Sequence, residues 1–213
     1  DVAVTGSSDV CSSDLNTTGD SNVGVGTYAA FALTTGNSNV AIGTAALLTA
    51  TTAIQNVAIG RDALRVSTAS YNAAVGIGTL ASNTTGTYNI GIGNDALGSN
   101  TIGTSNIGIG VSSLVNSTTG IQNIGVGQLS GATITTGSNN VLVGYYAGYS
   151  VSTGHDNAFI GTQAGQNTSS GNYNTALGVA ALNSNTTASN NTAVGYQAGY
   201  SNATGTQIGR AHV

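Results

Sequence analysis

The chain has 213 residues, of which only 5% are charged, and it contains 32 glycines but no proline, tryptophan or methionine. With a formal net charge of −4, it has no basic surface of the kind that binds nucleic acid or anionic lipid, so we expect no nucleic-acid partner. It also lacks a run of about 18 apolar residues that could cross a bilayer, so we expect no membrane insertion by this segment.

The two ends of the chain differ from the rest. Residues 9–15 read Asp-Val-Cys-Ser-Ser-Asp-Leu and residues 208–213 read Ile-Gly-Arg-Ala-His-Val; both resemble translations of one sequencing-adapter oligonucleotide, read in opposite directions. We therefore interpret residues 1–15 and 208–213 as adapter-derived flanks and residues 16–207 as native sequence. The only cysteine, Cys11, falls in the first flank, so no disulfide is predicted. The repeats described next stop where another is due, which predicts a piece of a longer protein.

Residues 16–207 are built on one motif, Asn-x-x-(Val/Ile/Leu)-Gly, which occurs eleven times. Successive motifs follow each other with a 17-residue period, except that the step from Asn56 to Asn72 is shorter by one. A period this short and regular is typical of a solenoid, in which each repeat adds one coil. Position 1 of the repeat is always Asn and position 5 is always Gly, and we expect both to form structural ladders. The predicted ladder residues are Asn39, Asn56, Asn72, Asn89, Asn106, Asn123, Asn140, Asn157, Asn174 and Asn191, with Gly43, Gly60, Gly76, Gly93, Gly110, Gly127, Gly144, Gly161, Gly178 and Gly195.

Each motif predicts one short β-strand. Apolar residues at positions 2 and 4 flank a mostly small residue at position 3, as in Val40-Ala41-Ile42. This alternation predicts that the side chains at positions 2 and 4 face the core. A second short element of strand and turn is expected after the glycine, with mostly Leu or Gly at position 9. A loop, often Thr-Thr-Gly, completes the repeat, and the shortened copy loses its residue there, between Thr68 and Tyr71.

A 17-residue coil cannot bury its own apolar side chains, so neighbouring coils must stack. We therefore predict an all-β fold, a parallel β-solenoid of about eleven 17-residue coils. Stacked asparagine amides are expected to bond from coil to coil and to satisfy turn backbone that would otherwise be unpaired. Each coil offers few large aliphatic side chains against the entropy of ordering its residues, which predicts further burial in a homotrimer.

The motif Asn-x-Ala-(Ile/Val)-Gly, followed by Ala-Leu or Ala-Gly, resembles the head repeats of trimeric autotransporter adhesins. The 17-residue spacing with Thr-Thr-Gly loops is similar to repeats of phage tail-fibre proteins. The resemblance covers residues 22–207. It implies a left-handed parallel β-roll, a homotrimeric fibre, and an extracellular location on a bacterial surface or a virion.

Tyrosines are concentrated in the last four copies of the motif, and exposed rings can stack on sugars. Tyr149 and Tyr200 are the candidates for contact with a cell-surface glycan or host receptor. Tyrosines are also enriched between subunits, so packing within a trimer is the competing interpretation.

Groups able to perform catalysis are sparse. Asp62 and Asp95 share position 7 but lie two copies apart, roughly 10 Å by coil stacking, and no third group supports them. His155 and Asp156 fall in a loop, where an exposed pair is expected. We therefore predict no enzymatic activity, no cofactor and no metal site.

Three functional hypotheses follow. The first is a structural or adhesive fibre segment of a phage tail fibre or bacterial adhesin, acting as a rigid shaft or head. The second is an ice-binding solenoid, because threonine is abundant; however, the threonines are adjacent in loops rather than arranged as Thr-x-Thr on strands. The third is a polysaccharide-processing β-helix, which would need a cluster of carboxylates.

Overall fold

A computed structural model describes residues 17–207 and Gly209. Apart from Gly209, the two flanks lie outside the described residues. The described chain forms eleven three-residue strands and no helix. The strands are β1 (Val23–Val25), β2 (Val40–Ile42), β3 (Val57–Ile59), β4 (Ala73–Val75), β5 (Ile90–Ile92), β6 (Ile107–Ile109), β7 (Ile124–Val126), β8 (Val141–Val143), β9 (Ala158–Ile160), β10 (Thr175–Leu177) and β11 (Thr192–Val194).

All eleven strands belong to one parallel sheet in sequence order, and each strand pairs only with the strands of the neighbouring coils. The predicted all-β parallel solenoid is therefore confirmed. Equivalent positions pair throughout, as in Val40 with Val57. The register also survives the shortened copy, where Val57 pairs with Ala73. The missing residue is thus absorbed outside the strands.

The prediction about the core face of the strands is wrong. The residue at position 3 points inward, and Ala41, Leu142 and Phe159 have no exposed surface. The residues at positions 2 and 4 lie on the outer face instead, as shown by Val57, which is 36% exposed, and Ile92, which is 43% exposed. A three-residue strand places either one or two side chains inward, and the narrow coil has room for one.

The remainder of each coil consists of consecutive turns rather than the predicted second strand. The largest group of big buried side chains is the leucines at position 9, all fully buried and all in the left-handed region with φ between 49° and 54°: Leu47, Leu64, Leu80, Leu97, Leu114 and Leu182. This backbone conformation costs an L-residue roughly 1–2 kcal/mol. Burying a leucine side chain contributes about 1.5–3 kcal/mol, which offsets that cost.

Where position 9 is glycine, the large core residue can come from the opposite wall of the coil. Leu142 faces Gly148, and a Cβ added to Gly148 would lie 2.6 Å from Leu142 Cδ2. Phe159 faces Gly165 in the same way, and a Cβ on Gly165 would overlap the phenyl ring. In these two coils the large residue is at position 3 and the small one at position 9, the reverse of the coils that have leucine at position 9. The core therefore stays filled.

The asparagines hold the coils closed and join them. In Asn39, Nδ2 donates to the Ala53 carbonyl of the same coil at 2.7 Å, while Oδ1 accepts from the Asn56 backbone N–H at 3.0 Å. The bond from backbone N–H to Oδ1 recurs between all successive ladder asparagines, at 2.9–3.1 Å. These side chains are buried, so each bond also satisfies a polar group removed from water.

The exchange of core residues between walls can be tested with a double-mutant cycle. Phe159→Ala should destabilise by about 3–5 kcal/mol because it opens a cavity. Gly165→Leu alone should also destabilise, since the leucine would overlap Phe159. The double variant should recover part of the loss, because Gly165 has φ of 57°, close to that of the native leucines. Urea unfolding measures all four proteins, and additive effects would contradict the wall exchange.

Substitution of the glycines at position 5 should lower the free energy of unfolding in two ways, by backbone strain and by a clash with the next coil. Gly93 has φ of 128°, and a Cβ there would lie 2.6 Å from the Gly110 carbonyl oxygen of the next coil. Gly195 has a similar φ of 122°, but a Cβ there would meet no atom of the described residues within 4 Å. Gly93→Val should lower the free energy of unfolding by about 1–3 kcal/mol or more. Gly195→Val should lower it less, because it introduces backbone strain without the clash; equal losses would argue against close coil stacking.

Candidate functional site

The outer side of the sheet is a largely aliphatic surface, here called the aliphatic face and defined as positions 2 and 4 of all eleven strands; position 4 is always Val, Ile or Leu, and position 2 also includes Ala and Thr. No strand contains a charged residue. More than a third of each of the following side chains is exposed: Val23, Val25, Ile42, Val57, Val75, Ile90, Ile92, Ile109, Ile160, Leu177 and Val194. At about 4.8 Å per strand the face is roughly 50 Å long. An apolar strip of this length is typical of an interaction surface.

A threonine ladder runs along the loops. Thr84 Oγ1 donates to the Thr101 carbonyl at 2.9 Å, and Thr101 Oγ1 donates to the Thr118 carbonyl at 2.9 Å. These hydroxyl hydrogens therefore link one coil to the next. This arrangement favours a structural role for the threonines over the display of free hydroxyl groups to ice.

The charged side chains form small exposed pairs. Asp62 lies 3.4 Å from Arg61 and 3.7 Å from Arg65, and two coils along the array Asp95 accepts from Asn94 Nδ2 at 3.2 Å. The described part of the chain has no group of three side chains suited to holding a metal ion.

His155 and Asp156 form the exposed loop pair that was predicted, with His155 Nδ1 at 2.7 Å from Asp156 Oδ2. The imidazole also packs edge-on against Tyr173, with ring centres 5.3 Å apart. Among the described residues, the His155 ring contacts Asp156 and Tyr173 but no nucleophilic side chain.

The two glycan candidates do not form one site, because Tyr149 and Tyr200 lie three coils apart. Tyr149 stacks on Tyr146 with ring centres 4.8 Å apart, and Tyr146 packs on Tyr145 at 4.4 Å. Desolvation of Tyr146 by its surroundings, followed by its hydrogen bond and charge interaction with Tyr145, raises the pKa of its phenol. Tyr200 is an exposed ring in the last coil.

Sequence reasoning missed a second tyrosine pair. Tyr71 and Tyr88 occupy the last position of consecutive repeats and stack with ring centres 5.1 Å apart and planes 8° apart. They line an open surface cavity of about 510 Å³, which is also lined by Gln55, Val57, Asn72, Ala73 and Ile90. Two features could have revealed it: tyrosine before two consecutive motifs, and alanine between the larger residues at position 2.

No protein-family model, curated protein or solved structure matches the chain. Within residues 17–207, no helix is available to cross a membrane.

The tyrosine cluster predicts a pH effect. Because folding raises the pKa of Tyr146, the unfolded chain loses that proton first, and stability should fall as pH rises above about 10. Replacing its neighbour, Tyr145→Phe, should lower the pKa of Tyr146 towards the ordinary value. Ultraviolet titration of tyrosinate measures this, with Tyr173→Phe as the control because it also removes one tyrosine. Identical titrations of the two variants would contradict the contribution assigned to Tyr145 and leave desolvation as the cause.

Proposed function

We propose that residues 16–207 are a rigid, non-enzymatic segment of an extracellular fibre, a shaft or head in which three copies pack through the position 4 side chains of the aliphatic face, with position 2 at the rim of the contact. The observation that carries the proposal is the aliphatic face itself. It runs the full length of the described sheet, lacks charge, and has the composition of the buried centre of an interface rather than of a wetted surface.

The coil explains why this face needs a partner. Only position 3 of each strand points inward, so the larger aliphatic side chains at positions 2 and 4 gain little from folding of one chain alone. Burial between chains contributes about 25 cal/mol for each Å² of apolar surface removed from water. A cyclic arrangement gives every copy the same contacts and closes the assembly. The resemblance to trimeric adhesin and tail-fibre repeats supports three copies rather than two.

The proposed role of the fibre is to extend away from its point of attachment and to present binding surfaces along its length. A stack of identical coils gives a straight element whose length scales with the number of repeats. Its outer loops are rich in Thr, Ser and Asn and carry the tyrosine clusters, which suits contact with a glycan or receptor on a cell surface. Tyr149 and Tyr200 remain candidates for such contact, as two separate points along the fibre.

The assembly is tested by sedimentation of the full chain at micromolar concentration. We expect three times the 20.7 kDa of one chain. Ile92→Asp should reduce that mass, because it places a carboxylate in the centre of the aliphatic face. Thr85→Asp is the matched control: Thr85 is exposed in a loop, so the trimer should persist.

Circular dichroism of the same samples shows whether each variant is folded. A folded monomer of the unmodified chain would overturn the trimer. An Ile92→Asp protein that retains the full trimer mass would show that the copies associate through another surface.

A further inference from the structure

Position 2 of the aliphatic face lies at the rim of the proposed trimer contact, and at one place there an alanine stands between two larger aliphatic residues. Val57, Ala73 and Ile90 stand side by side at position 2 of three paired strands. The alanine is smaller than both of its neighbours, so the face has a depression between them. The cavity of about 510 Å³ lies at this depression, and all three residues line it.

One side of the cavity is aromatic. Tyr71 and Tyr88 each precede a ladder asparagine, and both have left-handed backbone, with φ of 64° and 58°. This shared conformation explains why the rings stack in parallel one coil apart. The side chains are 40% and 60% exposed, so ring surface is available to a ligand. The face of an aromatic ring carries partial negative charge and attracts C–H groups that carry partial positive charge.

Polar groups accompany this aromatic surface without adding charge. Gln55 occupies the last position of the preceding repeat, and its side-chain amide has no hydrogen-bond partner within the described residues. The amide can both donate and accept, as can the two phenol groups. None of the residues that line the cavity is ionised at neutral pH. The site therefore suits an uncharged ligand that has an apolar C–H face and hydroxyl groups around its edge.

We propose that this cavity binds one pyranose ring of a neutral glycan, with the sugar C–H groups against the ring surface that the stacked Tyr71 and Tyr88 leave exposed and its hydroxyl groups towards Gln55. The volume lies within the range of small-ligand pockets, about 300–1,000 Å³. This inference rests on the proposed fibre function and adds a glycan-contact point beside the shortened coil, separate from Tyr149 and Tyr200.

The test is saturation-transfer difference NMR on the full chain, with the methyl glycosides of glucose, galactose and mannose as probes. At least one of them should receive saturation at its ring C–H protons. Ala73→Ile should weaken binding roughly tenfold or more, because it fills the depression with a side chain that Ile90 already carries at the same position. Tyr88→Ala should also weaken binding, by removing half of the aromatic pair.

Two matched controls separate the site from the fold. Ala158→Ile makes the same substitution at the other alanine of position 2, and Tyr173→Ala removes another tyrosine that precedes a ladder asparagine. Both should bind the glycoside as the unmodified chain does. N-acetylneuraminic acid, a charged sugar, should bind more weakly than the neutral probe.

These measurements test the sugar site and the trimeric fibre separately. If no neutral glycoside binds, or if Ala73→Ile binds as well as the unmodified chain, the sugar site is overturned. Sedimentation of the same samples reports independently on assembly. A trimer that binds no glycoside would overturn only the sugar site, and a monomer that binds one would overturn only the trimeric fibre.

Discussion

The side-chain amide of the ladder asparagine is the interaction on which the rest of the solenoid depends. The Asn39 side chain closes its own coil by donating a hydrogen bond to the Ala53 carbonyl. It also joins the next coil by accepting a hydrogen bond from the Asn56 backbone N–H. Asparagine is suited to both tasks, because aspartate cannot donate and the longer glutamine side chain would change the spacing. With the coil closed at this point, the three-residue strand that follows pairs in the same register each time. The glycine at position 5 then allows the backbone of consecutive coils to approach closely.

Much of the fold could be predicted from the sequence, because it follows from periodicity. The 17-residue spacing, the invariant Asn and Gly and the absence of a helical pattern together indicate parallel stacking. The orientation of the strand could not be obtained that way. A three-residue strand gives almost the same alternation whether position 3 or positions 2 and 4 face inward. The larger aliphatic residues then suggest the wrong face. One pattern in the sequence does indicate the correct face: Leu142 and Phe159 occur at position 3 only where Gly148 and Gly165 occur at position 9. Such compensation is expected when positions 3 and 9 share the core.

The candidate sites were less predictable, for a related reason. Crowding of tyrosines along the sequence pointed to the last four copies, where Tyr145, Tyr146 and Tyr149 do pack together but are not among the residues that line the cavity. Parallel stacking of rings across coils is found where the same position is aromatic in consecutive repeats, as in Tyr71 and Tyr88. The cavity beside them also depends on a small residue, Ala73, between two larger ones. Such a depression appears only when the repeats are compared side by side with the correct outward positions.

The order of strand pairing has a mechanical consequence. Every strand pairs only with its neighbours in sequence, and the bonds between coils run along the axis of the array. Tension along that axis loads these bonds in series, so the coil at one end yields before those in the middle. Each coil released adds about 55 Å of extended chain. A solenoid of this kind would lengthen under load in equal steps. Each step would dissipate mechanical energy while the remaining coils keep their shape.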